Sequence, residues 1–170
     1  MSTEFLQFHT DLWFLGTPEQ TAERGAWIKQ VLAAEGRYAE VEQPLLALGL
    51  PKALLERVNW WNTWPCFDCD FDEHDLAQGR LKMRSFEDGD LFAVAAIVQG
   101  YIRKFDPRRV WTMAWAVTST GASSCNEFGG GAMAVSRDNV IMVPTDVLER
   151  DLEDKLQSWM HPSSFVETSP

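Results

Sequence analysis

Residues 4 to 15 alternate between apolar and polar side chains. Leu6, Phe8, Leu12 and Phe14 fall on one face; Gln7, His9 and Asp11 fall on the other. That period of two predicts a half-buried strand. "GTPEQ" follows. Thr17 can cap a helix, Pro18 suits its first turn, and Gln20 completes a capping box. The helix predicted here runs to about Glu35 and stops at Gly36, with Trp27, Ile28, Val31 and Leu32 as its apolar stripe. Gly25 inside it costs about 1 kcal/mol relative to alanine, which suggests close packing there.

Between residues 37 and 63 the pattern breaks. "EQPLLALGLPKALLERV" predicts one or two short helical turns, interrupted at Pro44 and again between Gly49 and Pro51. "NWWNTW", with Trp60, Trp61 and Trp64, reads as irregular. Two strands are expected next, at about 64–72 and 80–86, with "DEHDLAQGR" as the turn between them.

The clearest period in the chain lies between about Asp88 and Phe105. Leu91, Val94, Ala95, Val98, Tyr101, Ile102 and Phe105 recur at helical spacing and predict an amphipathic helix. Pro107 prevents its continuation. "VWTMAWAVTS" then places Trp111, Met113, Trp115 and Val117 on one face of a strand, and Thr112, Ala114, Ala116 and Thr118 on the other. A strand apolar on both sides suits the centre of a sheet. A strand at about 130–136, the turn "SRDN" and the strand "VIMV" follow. A last helix starts at Thr145, with Leu148, Leu152, Leu156 and Trp159 inward and Asp146 near its positive end.

This order predicts a single α+β domain over residues 1–160, with a flexible tail at 161–170. Its first six regular elements match a ferredoxin-like, split βαβ plan. An antiparallel sheet of about five to six strands would carry helices on one face, with a C-terminal hairpin and helix added.

Composition narrows the function. An apolar fraction of 45% over 170 residues is enough for one sizeable core. The net charge is −10 and the sequence pI is about 4.7, which disfavours direct contact with nucleic acid or anionic membranes and favours a basic protein partner. The N-terminal residues lack the basic and apolar regions of a signal peptide, and no apolar run is long enough to span a membrane. The expected location is cytoplasmic, with Cys66, Cys69 and Cys125 as reduced thiols.

"CFDCDFDEHD", residues 66 to 75, is the first candidate for chemistry. Cys66 and Cys69 have zinc-knuckle spacing, and His74 and Cys125 would complete a ligand set. A knuckle needs a tight turn, however, and "FD" does not supply one. The alternating acids resemble a calcium loop but lack its central glycine and later glutamate. A redox pair would sit at a strand-to-helix turn. No metal or cofactor is therefore expected. Read as a strand, the segment turns Phe67, Cys69 and Phe71 to the core and Asp68, Asp70 and Asp72 outward, with Glu73 and Asp75 beyond. Carboxylates roughly 6–7 Å apart repel one another. The arrangement suits either a docking surface for a cationic partner or an edge strand protected from aggregation.

The second candidate is "SSCNEFGGGA". Its glycines precede a strand and no lysine is near, so it is a poor phosphate loop. They fit a bulge or a close backbone approach. Cys125 and Glu127, with His9 or His74, would be needed for a thiol- or carboxylate-dependent hydrolase or transferase.

"WTMAWAVTST" followed by "NEFGGGAMAVSRDNV" resembles the C-terminal half of a group of small acidic proteins encoded in bacterial, plasmid and phage genomes, of unassigned function. The similarity covers about residues 90–145, and Glu127 to Gly131 is its most specific run. Where that group has a basic residue ahead of the glutamate, this chain has "SSCN". The resemblance implies a mobile-element or accessory context and no particular activity.

Three functions follow as expectations. The first is a protein that occupies a basic partner, in the manner of an inhibitor, immunity protein or nucleic-acid mimic, countering a host defence or a toxin. Asp68, Asp70, Asp72, Glu73, Asp75, Glu127, Asp146, Glu149, Glu153 and the neighbouring Asp154 would supply its charge, and Trp60 and Trp61, with Trp64, its aromatic anchors, unless at least two of the three are buried in the core. The second is the hydrolase or transferase centred on Cys125 and Glu127. The third is an accessory domain with a small-molecule pocket over the sheet.

Overall fold

The computed structural model describes residues 3–32, 38–58, 64–65, 68–70, 73–86, 89–120 and 129–145. In chain order they form β1 (Thr3–Trp13), α1 (Pro18–Leu32), α2 (Tyr38–Ala47), α3 (Lys52–Leu55), β2 (Asp68–Asp70), α4 (Glu73–Ala77), β3 (Arg80–Ser85), α5 (Leu91–Phe105), β4 (Trp111–Thr120), β5 (Gly129–Val135) and β6 (Val140–Pro144). The strands make one six-stranded sheet in the order β2-β3-β1-β4-β5-β6. Every neighbouring pair is antiparallel. The fold is α+β, and among the described residues no helix is long and apolar enough to cross a membrane.

The alternation in β1 works as its pattern requires. Phe8, Leu12 and Phe14 are buried, while Gln7, His9 and Trp13 are exposed. The same division continues across β3, where Leu81, Met83 and Ser85 are buried and Arg84 is exposed. In β4, Trp111 and Met113 face the core, whereas Thr112, Ala114 and Ala116 are exposed. β4 is central in the sheet, but its second face is not buried. Small side chains there cover little area, and the core lies on the other side.

α1 begins with the reciprocal cap expected of its sequence. Gln20 N–H donates to Thr17 Oγ1 at 3.3 Å, and Thr17 N–H donates to Gln20 Oε1 at 3.1 Å. Pro44 does not interrupt α2, although a break was expected there. Proline removes one helical hydrogen bond, but Val41 and Leu45 on the same helix are fully in the core. Their burial outweighs that loss. The expected turn between β2 and β3 contains α4, which ends at Gly79 with φ +75°. Only glycine adopts that left-handed conformation without strain.

α5 is the central element. It starts at Leu91 rather than Asp88, because Asp90 is its N-cap and accepts from Phe92 N–H at 2.8 Å and Ala93 N–H at 3.2 Å. Every residue from Ala93 to Ile102 is buried. The expected amphipathic helix is thus enclosed on all sides, with the sheet on one flank and other helices on the rest. α1 and α2 come closest at Gly100, where an added β-carbon would lie 2.9 Å from Leu45 Cδ2 and 3.2 Å from Trp27 Cη2. Tyr101 packs between Phe14 and Phe105, and burial pushes its phenol pKa up. Gly25 meets only Phe14, at an ordinary 3.8 Å, so close approach does not require glycine there.

Candidate functional site

The acidic segment at β2 has cationic neighbours. β2 pairs with β3 so that Asp68 lies in register with Arg84 and Asp70 with Lys82. On the other side of β3, β1 places His9 opposite Arg84 and Asp11 opposite Lys82. The cations of the middle strand thus stand between acidic register positions on β2 and the residues of β1. Cys69 is in register with the core residue Met83.

Asp75 was expected among the exposed docking acids. Instead its side chain is 6% exposed and holds two cations. Arg80 Nη2 lies 2.7 Å from Oδ1, and Lys82 Nζ lies 2.6 Å from Oδ2. The hydrogen bond from Lys82 is the chief cause holding the Asp75 carboxyl below its ordinary pKa; burial opposes it and Arg80 adds to it. The reason for this correction lies in α4, which turns Asp75 inward toward the start of β3. Its charge is used inside the fold.

For Trp64 the sequence left two roles open, anchor or core, and the fold uses it as core. It is buried, and its indole N–H donates to the Val31 carbonyl at 3.0 Å. His74 is exposed, with Nε2 2.8 Å from Gln78 Nε2. Glu73 opens α4. Trp60, Trp61, Cys66, Asp72, Cys125, Glu127, Asp146, Glu149, Glu153 and Asp154 lie outside the described residues, as does the rest of the predicted C-terminal helix after Thr145. Among the described residues no group of three or more His, Cys, Asp or Glu is placed to hold a metal ion.

The glycine run acts by close approach. Gly131 pairs with Trp115 across the β4–β5 ladder. A β-carbon on Gly131 would fall on the Trp115 indole and 2.5 Å from the Val143 carbonyl oxygen. One on Gly130 would strike the Trp115 carbonyl oxygen. Gly131 lets the indole lie across the strand, and Gly130 allows the close backbone approach that the glycine run suggested.

That indole forms part of the wall of a pocket of about 760 Å³. α3 contributes Leu54, the turn after it Arg57, α5 Phe92 and Gln99, and β6 Met142 and Pro144. The β5–β6 hairpin carries the sheet past α5, and the gap between them is the pocket. Its polar features are few. The Arg57 guanidinium stands 4.0 Å from the centre of the Phe92 ring. Gln99 is fully buried, and its Nε2 donates to the Ser136 carbonyl at 3.1 Å, tying α5 to the β5–β6 turn. Its Oε1 is buried without a hydrogen-bond partner among the described residues. A mostly apolar concavity with a few polar groups, in a volume range of roughly 300–1,000 Å³, is the usual form of a small-molecule site.

Sequence reasoning had singled out none of these pocket residues for function. One signal was present: Gln99 is the lone uncharged polar side chain within "LFAVAAIVQGYI". A buried amide in such a helix needs a partner. Compared with protein-family models, curated proteins and solved structures, the chain finds no match.

Proposed function

We propose that this protein binds a small molecule in the pocket between α3, α5 and β4–β6. The observation that carries this reading is the concavity itself, about 760 Å³ walled by Leu54, Phe92, Trp115 and Met142, with the exposed Arg57 guanidinium in its lining. The rest of the lining is mostly apolar, and Gly131 leaves the space that the Trp115 indole occupies. The strand order β2-β3-β1-β4, with helices between β1 and β2 and between β3 and β4, supports a split βαβ, ferredoxin-like plan carrying an added hairpin. In that plan the pocket belongs to the addition.

The direct test is titration with N-phenyl-1-naphthylamine, a neutral dye that brightens in apolar sites. Wild type should give a saturable 1:1 enhancement. Ala53→Trp, at an exposed lining position on α3, should fill the pocket and remove it. Equal enhancement in both proteins would place the dye elsewhere and refute the reading.

A second reading, occupation of a basic protein, is supported by charge distribution. Of a net charge of −10, residues 146–154 alone carry five acids, Asp146, Glu149, Asp151, Glu153 and Asp154, against one base, Arg150. The test is salt-sensitive capture of a basic protein from lysate, compared with a variant carrying Asp146→Lys, Glu149→Lys and Glu153→Lys. Capture unchanged by those reversals would count against it.

A further inference from the structure

We infer that β6 is a self-pairing edge: a second copy of this chain lays its own β6 antiparallel against it, about a two-fold axis at Ile141. Among the described residues β6 ends the sheet, with β5 on one side and no strand on the other. The main-chain groups on its open side follow from the hairpin. Ser136 N–H donates to the Asn139 carbonyl at 2.8 Å, so the next pair, Val135 and Val140, is not hydrogen-bonded, and the ladder alternates from there. Ile141 and Val143 therefore turn their N–H and C=O groups toward β5. Val140 and Met142 turn theirs outward, as Pro144 does its carbonyl. Proline fits that position because it has no N–H to leave open on the edge.

The two ends of the sheet are unlike. The opposite edge, β2, reads Asp68-Cys69-Asp70, and charge on an edge discourages a further strand. Val140, Ile141, Met142 and Val143 carry no charge, and Ile141 is 57% exposed. An uncharged edge with open N–H and C=O groups is a template for strand addition. This strand is its own complement. With the axis at Ile141, Val140 of each copy falls opposite Met142 of the other. Both residues turn outward, so each such pair exchanges both of its N–H···O=C bonds, and Pro144 lies beyond the ladder. Ile141 stands against its counterpart, which covers the exposed side chain. A two-fold contact needs only this one patch, used twice.

The pairing also bears on the pocket, a consequence that rests on the pocket being the binding site. Val140, Ile141, Met142 and Pro144 all line it, so the concavity runs out to the free edge. Residues opposite each other in a ladder share a face. An added β6 would therefore set a second Val140 and Met142 beside the first and extend the apolar wall across the open side.

Sedimentation equilibrium over a range of concentrations tests the pairing, with near-ultraviolet circular dichroism to verify that each variant is folded. The five residues of β6 are far fewer than the roughly 20–30 a side of a standard interface, so the dimer should be weak, with a dissociation constant on the order of 100 μM. Each copy carries a net charge of −10, so added salt should strengthen the dimer by screening that repulsion. Ile141→Lys, at an exposed side chain on the axis, should weaken it at least tenfold. Ala114→Lys, exposed on β4 away from the edge, should leave it intact and so separates edge pairing from the stacking of two open sheet faces. Saturating N-phenyl-1-naphthylamine should tighten the dimer severalfold, because the pairing completes the dye's site.

Wild type that stays monomeric well above the expected constant would overturn the pairing. So would a dimer that survives Ile141→Lys, or one lost in Ala114→Lys. In each of these cases dye binding abolished by Ala53→Trp would leave the pocket reading standing. A dimer sensitive to Ile141→Lys in a protein that binds no dye would uphold the pairing and remove the pocket.

Discussion

The indole N–H of Trp111 donates to the main-chain carbonyl of Asp11 at 3.0 Å, at the place where β1 and β4 cease to pair. Their ladder runs from Thr3 opposite Thr120 to Gln7 opposite Ala116. Beyond it β1 pairs with β3 instead, from Phe8 to Trp13. The carbonyls of Asp11 and Trp13 are then taken by the side chains of Trp111 and Arg109. Trp111→Phe keeps most of the buried ring and removes the donor. It should cost about 1–3 kcal/mol, the usual penalty for an abandoned acceptor. A urea midpoint equal to wild type would show that the strands close without the indole.

Asp75 should shape the acid limb of stability. Its folded pKa is depressed, chiefly by the hydrogen bond from Lys82. The linked stabilisation is therefore complete above the ordinary aspartate value of about 3.9, and is lost as pH falls through the lower, folded value. Asp75→Asn should be less stable than wild type at neutral pH, by a margin that shrinks below about pH 4. Urea melts across pH 2 to 7 (roughly the range in which aspartate titrates) would check this. A margin constant with pH would show that the charge is not its source.

The glycines of β5 should differ sharply in tolerance. Gly131→Ala drives a methyl group into the Trp115 ring and should cost about 1–3 kcal/mol through overpacking. It should also weaken dye binding, because the displaced indole is pocket wall. Gly129 is the control. Its added β-carbon would meet Val117 Cβ at 3.7 Å, an ordinary contact, so Gly129→Ala should change stability by less than about 0.5 kcal/mol. Thermal melts of the pair would test the contrast, and equal losses would contradict it.

Asp90 caps the helix on which the domain is centred. Asp90→Ala leaves the N–H groups of Phe92 and Ala93 without their acceptor and should cost about 1 kcal/mol. Asp90→Asn keeps an acceptor oxygen and should recover most of that loss. Identical melting temperatures for the alanine and asparagine variants would argue against capping as the cause.

Local pattern was a good guide wherever one face of an element is wet. The strand around Phe8 and Leu12, the reciprocal cap of Thr17 and Gln20, and the hairpin around "SRDN" all follow from neighbours in the chain. It failed where the environment is uniform or long-range. α5 is apolar on nearly every side, so spacing could not reveal that other helices enclose it. Pro44 stays helical because Val41 and Leu45 are held by residues distant in sequence. Asp75 looked like one more acid in an acidic run until α4 turned it toward Arg80 and Lys82.

The sequence by itself determined the α+β composition, most strand positions, the capped start of α1, and a glycine run at 129–131 suited to a bulge or a close backbone approach. These depend on side-chain period, proline and glycine geometry, and capping oxygens, all of which act within a few residues. Only the tertiary structure decided that Asp75 is paired and buried, that Trp64 is core, and that Gln99 meets Arg57, Phe92 and Trp115 around one pocket. Those residues come from the turn after α3, from α5 and from β4, so their meeting is a consequence of how the hairpin extends the sheet past α5, and no local pattern encodes it.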